Sequence, residues 1–182
     1  FTPAVLTDDL LLDVDAIAGV IDADRESGLV RVGGGTVLAD LNRELDRLGL
    51  AMPNLGDIDV QTISGAISTA THGTGAGLKN ISAQVEAIEL VTASGDVLEL
   101  AGDTAPELLR AARVSVGSLG VISAVTLQTV PAFNLHRIDE PMPLETVLSD
   151  FDELAAACDH FRFFVFPFTD KEMTNRRNRT DV

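Results

Sequence analysis

Residues 53–75, PNLGDIDVQTISGAISTATHGTG, constrain the fold more than any other stretch of the chain. The stretch is dense in Gly, Ser and Thr, a composition that stays solvated in a flexible linker. Here, however, Leu55, Ile58, Val60, Ile63, Ala66, Ile67 and Ala70 are threaded through it. A long irregular segment inside a compact domain is usually functional. Gly56, Gly65, Gly73, Gly75 and, just beyond, Gly77 let backbone approach a ligand closely or take positive φ. Hydroxyls at Thr62, Ser64, Ser68, Thr69, Thr71 and Thr74 add neutral donors and acceptors. Two readings fit these residues. One is a buried turn system, with glycine at the bends and Ser or Thr as local caps. The other is a site for a diphosphate bound without lysine, through amides of an anion nest or a helix N-terminus. No GxxxxGK followed by Ser or Thr occurs, so a nucleotide P-loop is not indicated.

The 182 residues suffice for one domain and part of another, and 46% apolar residues with 23% charged ones can bury a core. The net charge of −15 disfavours nucleic acid and anionic membrane as partners. It does not oppose a diphosphate, because local amide dipoles decide that. The single cysteine, Cys158, excludes an internal disulfide. His136 and His160 are remote from His72 and no ligand spacing is present, so no metal is expected. No run of ~18 apolar residues predicts a spanning helix. No signal peptide is visible. A cytoplasmic protein is expected, with peripheral membrane association left open. The chain begins at Phe1 and ends in a polar, basic run at Asn175–Thr180, so both ends are expected to continue.

Leu10, Leu11, Leu12 and Val14 predict a short buried strand. Residues 18–24 and 28–33 predict a hairpin turned at Glu26-Ser27-Gly28. Gly33-Gly34-Gly35-Thr36 follows a strand and opens a helix, but its spacing is not GxGxxG. It is read as a tight turn with Thr36 as the helix N-cap. Val37, Leu41, Leu45 and Leu48 predict that helix, and Gly49 its C-terminal stop. Residues 84–100 predict a second hairpin, and Pro106–Arg113 a short helix capped by Thr104 or Asp103. Gly117 and Gly120 allow close backbone approach before a β-rich run that starts at Val121 and Ile122.

Pro131, Pro141 and Pro143 mark a change of character, with domains expected at 1–130 and 131–182. Leu144, Val147, Leu148, Phe151, Leu154, Ala155 and Cys158 predict one amphipathic helix, with Cys158 as a small buried hydrophobe. Phe161, Phe163, Phe164, Phe166 and Phe168 predict a strand with one aromatic face. His72 is read either as a hydrogen-bonding partner of a ligand or as a tie between two backbone segments.

Three segments together resemble one family. Ser-Gly-Ala-Ile-Ser-Thr-Ala-Thr-His-Gly-Thr-Gly at 64–75 is similar to the second flavin-contacting segment of the vanillyl-alcohol-oxidase-type (PCMH-type) FAD-binding domain. Gly-Ser-Leu-Gly-Val-Ile at 117–122 is similar to the segment that lies against the adenosine half of FAD in that family, largely through main-chain atoms. His-Phe-Arg-Phe-Phe-Val-Phe-Pro at 160–167 resembles the opening strand of the substrate (cap) domain of the sugar-1,4-lactone oxidases, to which alditol oxidases are related.

The resemblance implies an α+β fold, with two small sheets packed between helices. Residues 1–130 would be a PCMH-type two-subdomain FAD-binding domain lacking its first strands and first Gly-rich turn. Residues 131–182 would open an α+β cap domain. It implies FAD as cofactor. Gly56, Asp57, Ile58, Ser64, Gly65, Ser68, Thr69, Thr71, His72, Gly73 and Thr74 would line the flavin side, and Gly120, Val121 and Ile122 the adenosine side.

The reaction implied is oxidation of a CH–OH group of a sugar-1,4-lactone or alditol, with hydride passing to flavin N5 and O₂ or another acceptor reoxidising it. In many members a histidine bonded covalently to the flavin would fall two residues before Phe1. The family's acid/base and substrate groups lie mostly toward the C-terminus, so no residue is assigned as catalytic, and these 182 residues alone are expected to be inactive. Two rivals stand beside this reading. One is a flavoenzyme of the same superfamily acting on a hydroxy acid, a phenol or an aminosugar nucleotide, which the cap strand disfavours. The other is a truncated, non-catalytic fragment.

Overall fold

A computed structural model describes residues 7–181. The chain divides into two compact units. The first holds the residues up to His72 together with Asn80–Pro131, and the second holds Gly73–Lys79 and the residues from Ala132 onward.

In the first unit, β1 (Val20–Asp24) and β2 (Leu29–Gly33) form the expected hairpin, turned at Gly28 with φ 75°. There follow α1 (Leu38–Leu48), β3 (Leu50–Ala51), α2 (Ile63–Ser68), a 3₁₀ turn at Ile81–Gln84, and β4 (Val85–Val91). β5 (Val97–Ala101), α3 (Pro106–Arg113), β6 (Val121–Gln128) and β7 (Val130–Pro131) complete it. Five strands make an antiparallel sheet in the order β1-β2-β6-β4-β5, and β3 pairs with β7 apart from it. Alternation along the strands sends Val30, Val32, Ile88, Val125 and Leu127 to one face. There they share a core with Leu38, Leu41 and Leu45 of α1 and Ile63 and Ile67 of α2.

α1 ends as its sequence dictates. Gly49 sits at φ 74°, and its amide donates to the Asp46 carbonyl at 2.9 Å. Its start differs from expectation. Val37 is extended and bridges Thr62, so the helix begins one residue later and Thr36 is not its cap. The first-turn amides of Leu38 and Ala39 donate instead to the carbonyls of Gln61 and Asp59, each at 2.9 Å. The buried Thr36 hydroxyl has another task. It accepts from the Gly19 amide at 2.9 Å and donates to the Gly33 carbonyl at 2.6 Å. At α3, Pro106 occupies the first turn after Ala105, and neither Thr104 nor Asp103 caps it. The expected strand at Leu10–Val14 does not form. Leu10, Leu11 and Leu12 are exposed, and the segment pairs with no described strand.

In the second unit, β8 (Asn134–Met142), β9 (His160–Phe164) and β10 (Glu172–Thr180) form an antiparallel sheet in the order β8-β10-β9. The polar run at Asn175–Thr180 is thus part of a central strand. The single helix expected over 144–158 is two, α4 (Leu144–Ser149) and α5 (Phe151–Ala156). The Ser149 hydroxyl donates to Asp150 Oδ1 at 2.7 Å, with the Thr146 carbonyl at 3.2 Å as its alternative acceptor, and such local bonds compete with helix continuation. Cys158 is only partly buried, and burial pushes its thiol pKa up. Phe151 packs edge-on against Phe161 and Phe163, at centroid distances of 5.8 and 6.4 Å. The aromatic strand stops at Phe164. The Phe166 amide donates to Glu172 Oε2 at 2.7 Å, and Phe168 is fully exposed with φ 69°.

Both units have antiparallel sheets with helices set apart from the strands, which is an α+β fold. Replacing Thr36 by Val keeps the shape, leaves the Gly19 amide without its acceptor and removes one of the two donors to the Gly33 carbonyl, the Thr36 amide at 3.0 Å remaining. Urea unfolding of the Thr36→Val variant is expected to show a loss of about 2 kcal/mol. A loss below about 0.5 kcal/mol, the level of an ordinary surface substitution, would contradict this role.

Candidate functional site

The stretch read as irregular contains α2. Thr62 starts it as an N-cap, its Oγ1 accepting from the Gly65 amide at 3.2 Å. The Ile63 amide donates to the Thr36 carbonyl at 2.8 Å and the Ser64 amide to the Gly34 carbonyl at 3.1 Å. The first amides of this six-residue helix are therefore spent inside the protein. The option of an anion held at this helix start is overturned, because no amide there is left to hold it.

α2 instead offers its side. Ser64, Gly65, Ser68 and Thr69 fall on one face, at the spacing that brings residues four apart together. They line an open cleft of about 270 Å³. Its other walls are Val116, Gly117 and Gly120–Ile122, with Leu12 and Val14 from the segment before β1. Among the described residues no charged side chain lines it. The cleft thus combines neutral hydroxyls with apolar surface, which is how sites for planar organic ligands are built.

Seven of the candidate residues meet here: Ser64, Gly65, Ser68, Thr69, Gly120, Val121 and Ile122. Gly56, Thr71 and His72 gather elsewhere in the same unit. A Cβ on Gly56 would lie 3.3 Å from both the His72 carbonyl and Thr71 Cγ2. The Thr71 hydroxyl donates to Gln61 Oε1 at 3.2 Å, and its carbonyl accepts from the Ile81 amide at 3.2 Å. Asp57, Ile58 and His72 are exposed. Gly73 and Thr74 belong to the second unit. Leu12, Val14 and Val116 line the cleft although the sequence did not single them out as site residues, and Gly117, the first residue of the 117–122 segment, lines it too. The signal for the first two was the apolar run 10–14, which has the composition of a strand.

The wall opposite α2 is fixed by backbone that resists side chains. Gly120 has φ 145°, and a Cβ there would come within 2.3 Å of the Val91 carbonyl oxygen. Val116 takes φ 53°, a genuine outlier for a β-branched residue. Its amide donates to the Ser68 carbonyl at 3.2 Å, tying this strained turn to the end of α2.

Residues 1–101 match the family described as FAD binding domain. The chain belongs to the FAD-binding domain family. Residues 125–182 match the family described as D-arabinono-1,4-lactone oxidase. Over all 182 residues the chain is 47% identical to an L-gulono-1,4-lactone dehydrogenase of Mycobacterium tuberculosis, covering 42% of that protein. It is 38% identical to an L-gulonolactone oxidase of Scyliorhinus torazame, with 96% of this chain and 40% of that protein aligned. It is 35% identical to a D-arabinono-1,4-lactone oxidase of Yarrowia lipolytica, with 97% and 34% aligned. The chain therefore spans roughly two fifths or less of the length of these relatives.

Among solved structures, a cholesterol oxidase from Brevibacterium sterolicum matches with a TM-score of 0.86 at 17% identity, over 99% of this chain and 39% of that one. An alkyldihydroxyacetonephosphate synthase matches with a TM-score of 0.80 at 15% identity, over 92% and 38%. At such identities the likeness concerns the fold alone.

The two glycines of the cleft wall should respond differently to the same change. Gly117, at φ 74°, faces open space, so Gly117→Ala is expected to cost about 1 kcal/mol from backbone strain alone. Gly120→Ala adds a clash with main-chain oxygen and is expected to cost about 3 kcal/mol. Equal costs in urea unfolding would contradict the packing of Gly120 against β4.

Proposed function

We propose that the protein is an FAD-dependent oxidoreductase that oxidises a CH–OH group of a sugar-1,4-lactone of the gulono or arabinono type. The observation that carries the proposal is the uncharged cleft between α2 and the 116–122 turn, in a chain of the FAD-binding domain family. The residues present fit the cofactor. Gly120 and Gly117 let main chain approach a ligand without an intervening Cβ. Val121, Ile122, Leu12 and Val14 supply apolar surface for a planar ring, and Ser64, Ser68 and Thr69 can donate to or accept from its polar edge. In this proposal Gly120, Val121 and Ile122 hold the adenosine half. Gly56, Asp57, Ile58, Ser64, Gly65, Ser68, Thr69, Thr71, His72, Gly73 and Thr74 belong to the flavin side, and of these Ser64, Gly65, Ser68 and Thr69 face the 116–122 turn across the cleft.

Bound FAD supplies the hydride acceptor that this chemistry needs. The protein supplies position. Apolar walls would keep water from a bound ring, and the Ser64, Ser68 and Thr69 hydroxyls would orient it through hydrogen bonds. The sugar-lactone part of the proposal is supported by the match of residues 125–182 and by the names of the relatives. Those names divide between dehydrogenase and oxidase, so the acceptor is O₂ or another oxidant. Among the described residues no helix is long and apolar enough to cross a membrane.

The full-length protein is expected to show the visible bands of oxidised flavin, bleached by L-gulono- or D-arabinono-1,4-lactone. Gly65 is exposed toward the cleft, and a Cβ there would meet only Thr62 Oγ1, at 3.2 Å. Gly65→Val should therefore fold, yet project three carbons into the cleft and weaken FAD binding by at least about tenfold. Full FAD occupancy in that variant would overturn the use of this cleft. Flavin bands that no lactone bleaches would keep the cofactor and overturn the substrate.

A further inference from the structure

The motif at 64–75 ends in a loop, Gly73–Lys79, that belongs to the second unit. His160, the first residue of β9, holds it there. The imidazole is 8% exposed, and its Nδ1 lies 3.1 Å from the Thr74 carbonyl oxygen and 3.3 Å from Thr74 Oγ1. A carbonyl only accepts, so Nδ1 carries the proton. The next residue is fitted just as closely. Gly75 has φ 109°, and a Cβ there would come within 2.5 Å of the Asp159 carbonyl oxygen. One side chain and one backbone oxygen from the start of β9 thus set the course of residues 74 and 75.

We propose that His160 is a positioning residue for the cofactor: by donating its Nδ1–H to the Thr74 carbonyl, it fixes Gly73–Gly75 in the conformation that receives FAD. This rests on the flavoenzyme reading above, in which Gly73 and Thr74 are on the flavin side. His160 acts through the loop and takes no part in the chemistry.

The surroundings keep the ring neutral. Burial lowers the His160 pKa, and Arg177 and Arg179 of β10 lower it further. The bond to Thr74 and the charge of Asp159 oppose this. Arg177 is paired in register with His160 on one side and with Arg137 of β8 on the other, so a second proton on the ring would add positive charge beside an arginine row. Lys79 is the one titratable group of the loop itself, and it is exposed. The sign follows. With the folded pKa below the ordinary 6.5, the loop is held at pH 7. Protonation at Nε2 leaves the Nδ1–H in place, so what weakens as the pH falls below 6.5 and through the lowered value is the seating of the buried ring beside the arginines, and with it the hold on the loop.

Two variants separate the hydrogen bond from mere bulk. The Asn amide nitrogen of His160→Asn falls where Nδ1 is. The Gln amide nitrogen of His160→Gln falls near Nε2 instead. Neither titrates. Amide hydrogen exchange of residues 73–78 in the cofactor-free full-length protein reads the loop directly, and FAD titration reads its consequence. His160→Gln is expected to speed exchange and raise the Kd for FAD about tenfold, while His160→Asn stays within about threefold of wild type. Wild type alone should lose FAD affinity between pH 7 and pH 5 by more than either variant does.

If His160→Gln matches wild type in exchange and affinity, or if His160→Asn fails as His160→Gln does, the proposal is overturned. If wild type takes up no FAD, the flavoenzyme reading and the cofactor part of the proposal fall together. The exchange data then decide separately whether His160 holds the loop.

Discussion

The main chain of Gly33–Thr36 holds three separate segments of the first unit in one place. The Gly34 amide donates to the Ser123 carbonyl of β6 at 2.8 Å, and the Gly35 amide to the Ile17 carbonyl at 2.8 Å. The Gly34 and Thr36 carbonyls receive the first amides of α2. No side chain fits between these partners. A Cβ would come within 2.4 Å of the Ile17 carbonyl oxygen at Gly33, 2.0 Å of that of Ile122 at Gly34, and 2.0 Å of that of Val14 at Gly35. Real Cβ atoms do not approach that closely, so glycine is required by contact rather than by turn geometry. The cleft depends on this junction. Ile122 and Val14 line it, and α2, whose first amides end at the junction, forms its other side.

What was legible in the sequence was whatever its local pattern determined. α1 has an apolar residue on every turn and a glycine stop, and both hairpins have a glycine where positive φ is needed at Gly28 and Gly95. What was not legible depended on partners distant in sequence. Thr36 has the composition of an N-cap, but the carbonyls of Asp59 and Gln61 cap α1 first, which releases its hydroxyl for Gly19 and Gly33. Leu10–Val14 has the composition of a strand but pairs with no described strand, and Leu12 and Val14 line the cleft instead. The helix over 144–158 obeys the 3.6-residue period throughout, yet Ser149 and Asp150 satisfy one another and break it. The glycine, serine and threonine of 53–75 hid a helix, because six residues are too few to show a period.

The charge of the chain is kept away from the cleft. A net charge of −15 would repel an anionic ligand if it were spread evenly, but no carboxylate lines the cleft walls. Two of the glutamates are tied up on the sheet, where Arg31 pairs with Glu89 at 2.8 Å and Glu99 at 2.7 Å. An uncharged cleft favours binding by shape and by neutral hydrogen bonds. It also leaves Val116 to carry backbone strain of about 1–3 kcal/mol at its rim, a cost the Ser68 tie and the neighbouring glycines help to hold in place.

The contiguous motif 64–75 is held by two different supports. Its first half, Ser64–Thr69, stands on the Gly34–Thr36 junction and the sheet behind it. Its last residues, Thr74 and Gly75, stand on His160 and the Asp159 carbonyl at the start of β9. These supports share no residue. Disturbing one leaves the hydrogen bonds of the other intact, so their effects on stability should add, as they do for separated sites. Sequence proximity made 64–75 look like one feature and directed attention to its own histidine, His72. The side chain that fixes the far end of the motif is instead His160, separated from Thr74 by 86 positions of chain.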